Sequence, residues 1–458
     1  MTTRKIVVTA LISALAGGTQ LANATDVFRL EGFGAISRGM GGTSAAYDVG
    51  PAGMMSNPAT LSLMAEGDQV LVGLDIVTTN IDVTDKFNGQ KVSSSNESNN
   101  RGPYYAPELA YTKRVGPWAF GLGAFAMGGL GTEYGNQSFL SQASGGINTG
   151  LPNSSRLLVL DIPFAVSYQA TEDLSIGGSL DAMWQGLNLD LLLAGNQVGS
   201  LLGSGRVNGS LVPVLGGLPD LRGAHFSLTR DQPLASGVDS WGFGARIGAV
   251  YRAGPDTRIG GSYSMQSQMG DMKGNATLTA VDGIAGQIPL GGKITVKDFQ
   301  MPSVLNLGIS HRITPQWLVA ADISEVFWKN VMKNINVAFE ANGGGNLNIS
   351  LPQDYKNQTI FSIGTAYDVN TDLVLRAGFR IASQALPSST LFAVIPAIPV
   401  MHLSLGASYN FTKQSILDFA YSHAFEETMT NSSLPNTSVP IEVSHAQNNF
   451  TISYRYSF

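Results

Sequence analysis

Apolar and polar side chains alternate with a period of two along most of this chain, and no run of about 18 apolar residues interrupts the pattern. Alternation of this kind sends successive side chains to opposite faces of an extended strand. In NNFTISYRYSF, Phe450, Ile452, Tyr454, Tyr456 and Phe458 share one face, while Asn449, Thr451, Ser453, Arg455 and Ser457 share the other. In LLVLDIPFAVSYQ, Leu158, Leu160, Ile162, Phe164, Val166 and Tyr168 oppose Asp161, Ser167 and Gln169. A chain written this way makes a sheet with one greasy face, and that excludes a helical membrane protein.

Composition narrows the choice. Charged residues are 13% of the chain, about half the usual soluble share of roughly 25%. Glycine is abundant at 54 of 458 residues, yet the mean hydropathy is only +0.09. Few charges without a hydrophobic run suit strands that face lipid on one side. The net charge of −6 supplies no basic footprint for nucleic acid. The absence of cysteine excludes disulfides, thiolate metal sites and a cysteine nucleophile.

Fourteen strand candidates follow, at 69–82, 104–113, 118–127, 156–169, 174–187, 240–252, 257–269, 302–312, 317–327, 359–368, 373–382, 402–411, 416–424 and 448–458. Each is about long enough to cross a bilayer when tilted. Asp75, Glu108, Asp161, Asp181, Arg246, Arg258, Arg312, Asp322, Arg376, Arg380, Asp418 and Arg455 all fall opposite the apolar row. An Arg or Lys on a lipid face near the midplane costs about 2–4 kcal/mol, so the charges mark the inside. Tyr105, Tyr111, Trp118, Trp184, Trp241, Tyr251, Tyr263, Trp317, Tyr409 and Tyr421 sit near strand ends, as interfacial girdles do. Connections alternate between turns such as RVGP 114–117 or ATED 170–173 and long loops such as 188–239, 270–301 and 328–358. The expectation is an all-β, 14-stranded antiparallel transmembrane β-barrel in a bacterial outer membrane, with its last strand closing on its first. Phe458 resembles the terminal aromatic of outer-membrane barrels in general, which implies the barrel assembly machinery as a partner during biogenesis.

The front of the chain is different. Arg4 and Lys5, an apolar core over Ile6–Ala16 and Ala22-Asn23-Ala24 read as a signal peptide, residues 1–24. Residues 25–66 lack long alternation and are too small-sided for a core of their own. They are expected as an N-terminal hatch inside the lumen, with the barrel over 67–458.

FRLEGFGAISRGMGG (Phe28–Gly42), Asn57-Pro58-Ala59, TDLVLRAGF and HLSLGASYNFTKQSILDFAYSHAF resemble the FadL/TodX family of outer-membrane transporters for long-chain fatty acids and hydrophobic compounds. The resemblance implies capture at the extracellular loops, a lumen pocket, and sideways exit through the wall by passive diffusion without a cofactor. It implies a hydrophobic small molecule and outer-membrane lipid as partners, and a monomer.

Candidate residues follow from both arguments. Inward apolar positions include Val77, Phe125, Leu157, Val159, Met183, Val250 and Val374, suited to ligand contact or to packing on the hatch. Phe28, Leu30 and Phe33 are three large apolar groups that must be buried, as ligand neighbours or as tail anchors. Leu189, Leu192 and Leu193, with Leu202, form an apolar stripe if their loop is helical. Arg246 and Arg380 face inward, where each could hold a carboxylate or pair with an inward Asp. Gly121, Gly123, Gly128 and Gly129 weaken their strand and are expected to kink it into a lateral window, with Gly121 and Gly123 as the gate positions, or else to give the hatch packing space. Asn57, Pro58 and Ala59 form the hatch turn, which the resemblance puts near that window. A substrate-specific porin for small polar solutes is the alternative function. An outer-membrane hydrolase built on Ser310 and His311 is disfavoured, because adjacent strand residues face opposite ways.

Overall fold

The computed structural model describes residues 27–95, 103–228 and 237–458; the signal segment expected at 1–24 lies outside them. The long strands are β1 (Gly67–Asp85), β2 (Tyr104–Val115), β3 (Trp118–Glu133), β4 (Ser154–Gln169), β5 (Leu174–Ala194), β6 (Val238–Arg252), β7 (Thr257–Ser264) and β8 (Met272–Asp282). They continue as β9 (Gly286–Lys297), β10 (Val304–Thr314), β11 (Trp317–Val326), β12 (Gln358–Asp368), β13 (Leu373–Ala382), β14 (Met401–Asn410), β15 (Ser415–Asn431) and β16 (Ile441–Ser457). Pairing is antiparallel, and β16 returns to β1 from Gln69↔Ser457 to Asp85↔Ile441, so the cylinder has no free seam between its first and last strands.

The fourteen-stranded expectation is corrected here, because sixteen strands build the wall. The difference is the hairpin β8–β9, which occupies the segment read as loop 270–301. Below it, on the short-turn side, β7 pairs directly with β10. The hairpin itself rises on the long-loop side, with β8 against β6 and the strand Leu221–Ser227, and β9 against the strand Asn334–Ala341. Gly270, Gly283, Gly286, Gly291 and Gly292 punctuate this segment like a loop. Its apolar residues, among them Leu278, Ala280, Ile294 and Val296, are buried rather than turned to lipid, so no outward greasy row announced it.

The two faces of the wall separate cleanly. Leu180, Trp241, Phe243, Ile247, Leu307, Leu405 and Ile452 are exposed on the outside, an apolar belt suited to hydrocarbon. Asp75, Glu108, Asp161, Asp181, Asp322 and Asp418 are buried on the inside.

Residues 27–66 fill the ring. They form the short helix α1 (Gly34–Gly39) and two 3₁₀ turns, Gly50–Met55 and Pro58–Leu63. Such short elements cannot satisfy their own backbone, and the wall does it for them. Asp322 of β11 accepts from the amides of Ser44 (2.8 Å) and Ala45 (3.1 Å). Glu108 of β2 accepts from the amide of Gly34 at 2.9 Å. Ser310 of β10 donates to the carbonyl of Ala46, and Ser62 meets Ser167 of β4 at 2.5 Å. Arg38 reaches Asp75 of β1 at 3.1 Å and Glu31 at 3.5 Å. Glycine on the inner wall permits this closeness: a Cβ on Gly378 would strike the backbone of Met40 and Gly41. Among the described residues, further α-helices lie only in the long loop after β5, α2 (Gly195–Gly203) and α3 (Leu211–Gly216).

Candidate functional site

Above the hatch lies a cavity enclosing about 910 Å³, part of it open to solvent. Leu187, Leu189, Leu191 and Leu193 project into it from β5, alternate residues of one strand. Phe226 and Leu228, Ile294 and Val296, Phe299, and Ile349 and Leu351 close the other sides. Phe28 of the hatch forms part of the lining. Ser155 is the one polar residue among those lining it; none is charged. Such a space favours a molecule that brings apolar surface and no ion.

A second apolar space of about 560 Å³ adjoins it on the long-loop side, sharing Leu193, Phe226 and Ile349. Val198, Leu201 and Leu202 of α2 and Val212 and Leu215 of α3 line it. The two spaces form an apolar path from the outer loops to the lumen.

Among the described residues, strand pairing is interrupted beside the lining residue Phe28. Pairing between β2 and β3 stops at Glu108↔Phe125, and Pro107 has no amide to continue it. On its other side β3 bulges against β4 between Ala126 and Gly128. The hatch tail caps this stretch from within. Gly129 donates to the carbonyl of Phe28 at 2.7 Å, Leu30 donates to Met127 at 3.2 Å, and Arg29 bridges Gly128. The Phe28 ring packs against Phe299, Trp328 and Tyr355, with centroids 6.1, 5.6 and 6.3 Å away.

A closed barrel, an internal plug and an apolar path meet one family description: residues 7–458 match the model of outer membrane protein transport proteins (OMPP1/FadL/TodX). The chain belongs to this family. Its members are transporters or channels of the outer membrane, and they carry hydrophobic compounds and fatty acids. The chain is 24% identical over 383 residues to outer membrane protein P1 of Haemophilus influenzae, covering 80% of this chain and 79% of that protein. It is 24% identical over 411 residues to the long-chain fatty acid transport protein of Escherichia coli O6:H1, covering 85% and 84%. The crystal structure of the P. putida toluene transporter TodX is 44% identical and superposes with a TM-score of 0.85 over 94% of this chain and 99% of that one.

Within this family fold, the residues picked from sequence scatter. Phe28, Leu189 and Leu193 line the cavity. Leu30 and Phe33 lie lower, beside a mixed polar space that Arg380 also lines. Phe125 is buried in the core and does not line the cavity. Leu192 faces away, packed with Ala143 and Val281, because residues 187–194 are strand and the helix begins only at Gly195. The helical stripe is thus corrected to a period of two. Arg246 pairs with Asp161 and with Asp181 (2.9 Å), the second of the two roles open to it, and does not line the apolar cavity. Arg380 donates to Ser362 at 3.0 Å, also outside the apolar lining. Of the four glycines noted in this strand, Gly128 stands at the bulge and Gly121 and Gly123 do not. The latter two instead make room for Met54 and for the ring of Phe125. Asn57, Pro58 and Ala59 dock on β4, β5 and β6: Asn57 donates to Ala249 at 3.1 Å, and Gly177 approaches Pro58 and Ala59. Ser310 and His311 do part, with His311 paired to Thr257 at 2.9 Å on the exposed side.

Phe299, Trp328 and Tyr355 were not picked from the sequence. They stand in segments between long strands, where no periodicity flags them. Glu31, inside the hatch, would be raised by burial, but Arg38 beside it and the approach of His402 hold it at about 2.

Proposed function

We propose that this chain admits neutral apolar molecules of about the size of a small aromatic hydrocarbon through the outer membrane without energy input. The observation that carries this reading is the cavity lining, apolar apart from Ser155 and free of charge. A fatty-acid carboxylate buried there would lack a cation, at a cost of several kcal/mol. The 44% identity to a toluene transporter supports the same preference.

The molecule enters between α2 and α3, passes Leu193 into the cavity and meets Phe28. It leaves sideways where β2 and β3 part, once the Phe28–Leu30 tail has shifted, and enters the bilayer. Phe28, Leu189 and Leu193 are the ligand contacts in this reading, and the bulge at Ala126–Gly128 frames the exit. Division into signal peptide 1–24, hatch 25–66 and barrel 67–458, assembly by the barrel machinery, and action as a monomer without catalysis belong to the same proposal.

Uptake of radiolabelled toluene and of radiolabelled oleate by cells carrying this chain as their sole transporter of the kind tests it. Toluene entry above the empty-vector rate with oleate at background supports the reading; the reverse order overturns it.

A further inference from the structure

Trp328 and Tyr355 are almost wholly buried, their rings lie 6.3 Å apart against the Phe28 ring, and neither lines the cavity. Both carry a hydrogen-bond donor, and neither the indole Nε1 nor the phenol oxygen has a hydrogen-bond partner among the described residues. A buried donor left unsatisfied costs about 1–3 kcal/mol, so two at one spot call for an explanation. The Phe28 ring that both face offers none, since it brings only hydrocarbon. Trp328 meets Phe28 at 88°, edge to face, and the carbonyls of Trp328 and Met332 are engaged by backbone amides: Met332 donates to Trp328 at 2.9 Å and Tyr355 donates to Met332 at 3.0 Å.

Phe28 is the side chain common to the cavity and to this pair. It belongs to a tail held by a few backbone hydrogen bonds, so it is the element best able to turn aside. We propose that Trp328 and Tyr355 form an inner polar subsite, uncovered when Phe28 moves, that binds a neutral apolar molecule through one acceptor oxygen such as a carbonyl. This inference rests on the cavity being the path taken. It adds a selection among neutral molecules: those with an acceptor beside the ring are held more tightly than the bare hydrocarbon. Tyr355 suits the role because burial pushes its phenol up, which keeps it a donor. A carboxylate is disfavoured here as in the cavity, since two neutral donors do not balance a buried charge. A site built to hydrogen-bond an oxygen discriminates strongly against the analogue lacking it.

Acetophenone and ethylbenzene are a matched pair of nearly equal size that differ in the carbonyl. Their affinities for detergent-purified protein, measured by calorimetry, are to be compared for the unmodified chain and for W328F and Y355F. Each variant is expected to weaken acetophenone by about tenfold while leaving ethylbenzene within twofold. Ethylbenzene binding by the variants also shows that they are folded. If both probes weaken equally, or acetophenone is unaffected, the subsite is refuted while the cavity stands. If the unmodified protein binds neither probe, the cavity reading falls and takes the subsite with it.

Discussion

The amide of Gly129 donates to the carbonyl of Phe28 at 2.7 Å, which makes the front of the hatch an added strand on the bulged part of β3. Plug and wall are therefore coupled at the spot where β2 and β3 separate. A ligand that presses on the Phe28 ring acts on the same short segment whose backbone closes the gap.

Replacing Gly128 by valine tests this coupling. A Cβ there would strike the Phe28 carbonyl oxygen and lie 3.1 Å from the Arg29 Cα. The tail is expected to detach while the wall stays folded. The chain has no cysteine, so a single Val27→Cys reporter is clean. Its labelling by a soluble maleimide should rise by about tenfold in the Gly128→Val background, the equivalent of about 1.4 kcal/mol of lost docking.

Arg38 holds the plug to the wall. It is buried between Asp75 and Glu31, and Arg38→Met leaves both carboxylates without it. Removing one partner of a buried pair costs about 3–5 kcal/mol. Hydrogen exchange over residues 34–42 should accelerate strongly, with protection of β10–β16 unchanged.

The share of hatch docking that depends on the Glu31 charge should be lost to acid only late. Glu31 is held at about 2 in the folded protein against an ordinary value of 4.5, so its lowered value stabilises docking above pH 4.5, and that stability is lost as pH falls through about 2. With the pH dependence of intrinsic amide exchange divided out, the extra hatch protection of the unmodified chain over Glu31→Gln should therefore change little from pH 7 to 4.5 and shrink steeply below. Glu31→Gln should remove this part of the acid dependence.

Much of the wall was legible because lipid imposes a simple rule. Trp241, Phe243 and Ile247 had to face out and Asp161, Asp181 and Arg246 in, and a period of two writes that directly into the chain. The hairpin β8–β9 was hidden because Leu278 and Ile294 point to a protein interior, where no such rule applies. The cavity was half legible. Leu189 and Leu193 stood out as large apolar residues, but their spacing was taken for a helix when Leu187, Leu189, Leu191 and Leu193 keep strand period. The strand irregularity was legible in part: of the four glycines noted, Gly128 stands at the bulge, whereas Gly121 and Gly123 serve Met54 and Phe125, since a glycine marks either a bulge or a neighbour's side chain. Trp328 and Tyr355 gather beside Phe28 only through tertiary packing.

Leu193 lines both the outer space and the cavity, so Leu193→Trp adds bulk where the two meet without removing a side-chain hydrogen bond. The decisive measurement is the initial rate of radiolabelled toluene entry into cells bearing the unmodified chain or this variant, at matched amounts of folded barrel. The account expects entry to fall at least tenfold, close to the empty-vector rate. Undiminished entry through the obstructed variant would contradict it, because the molecule would then be crossing by another route.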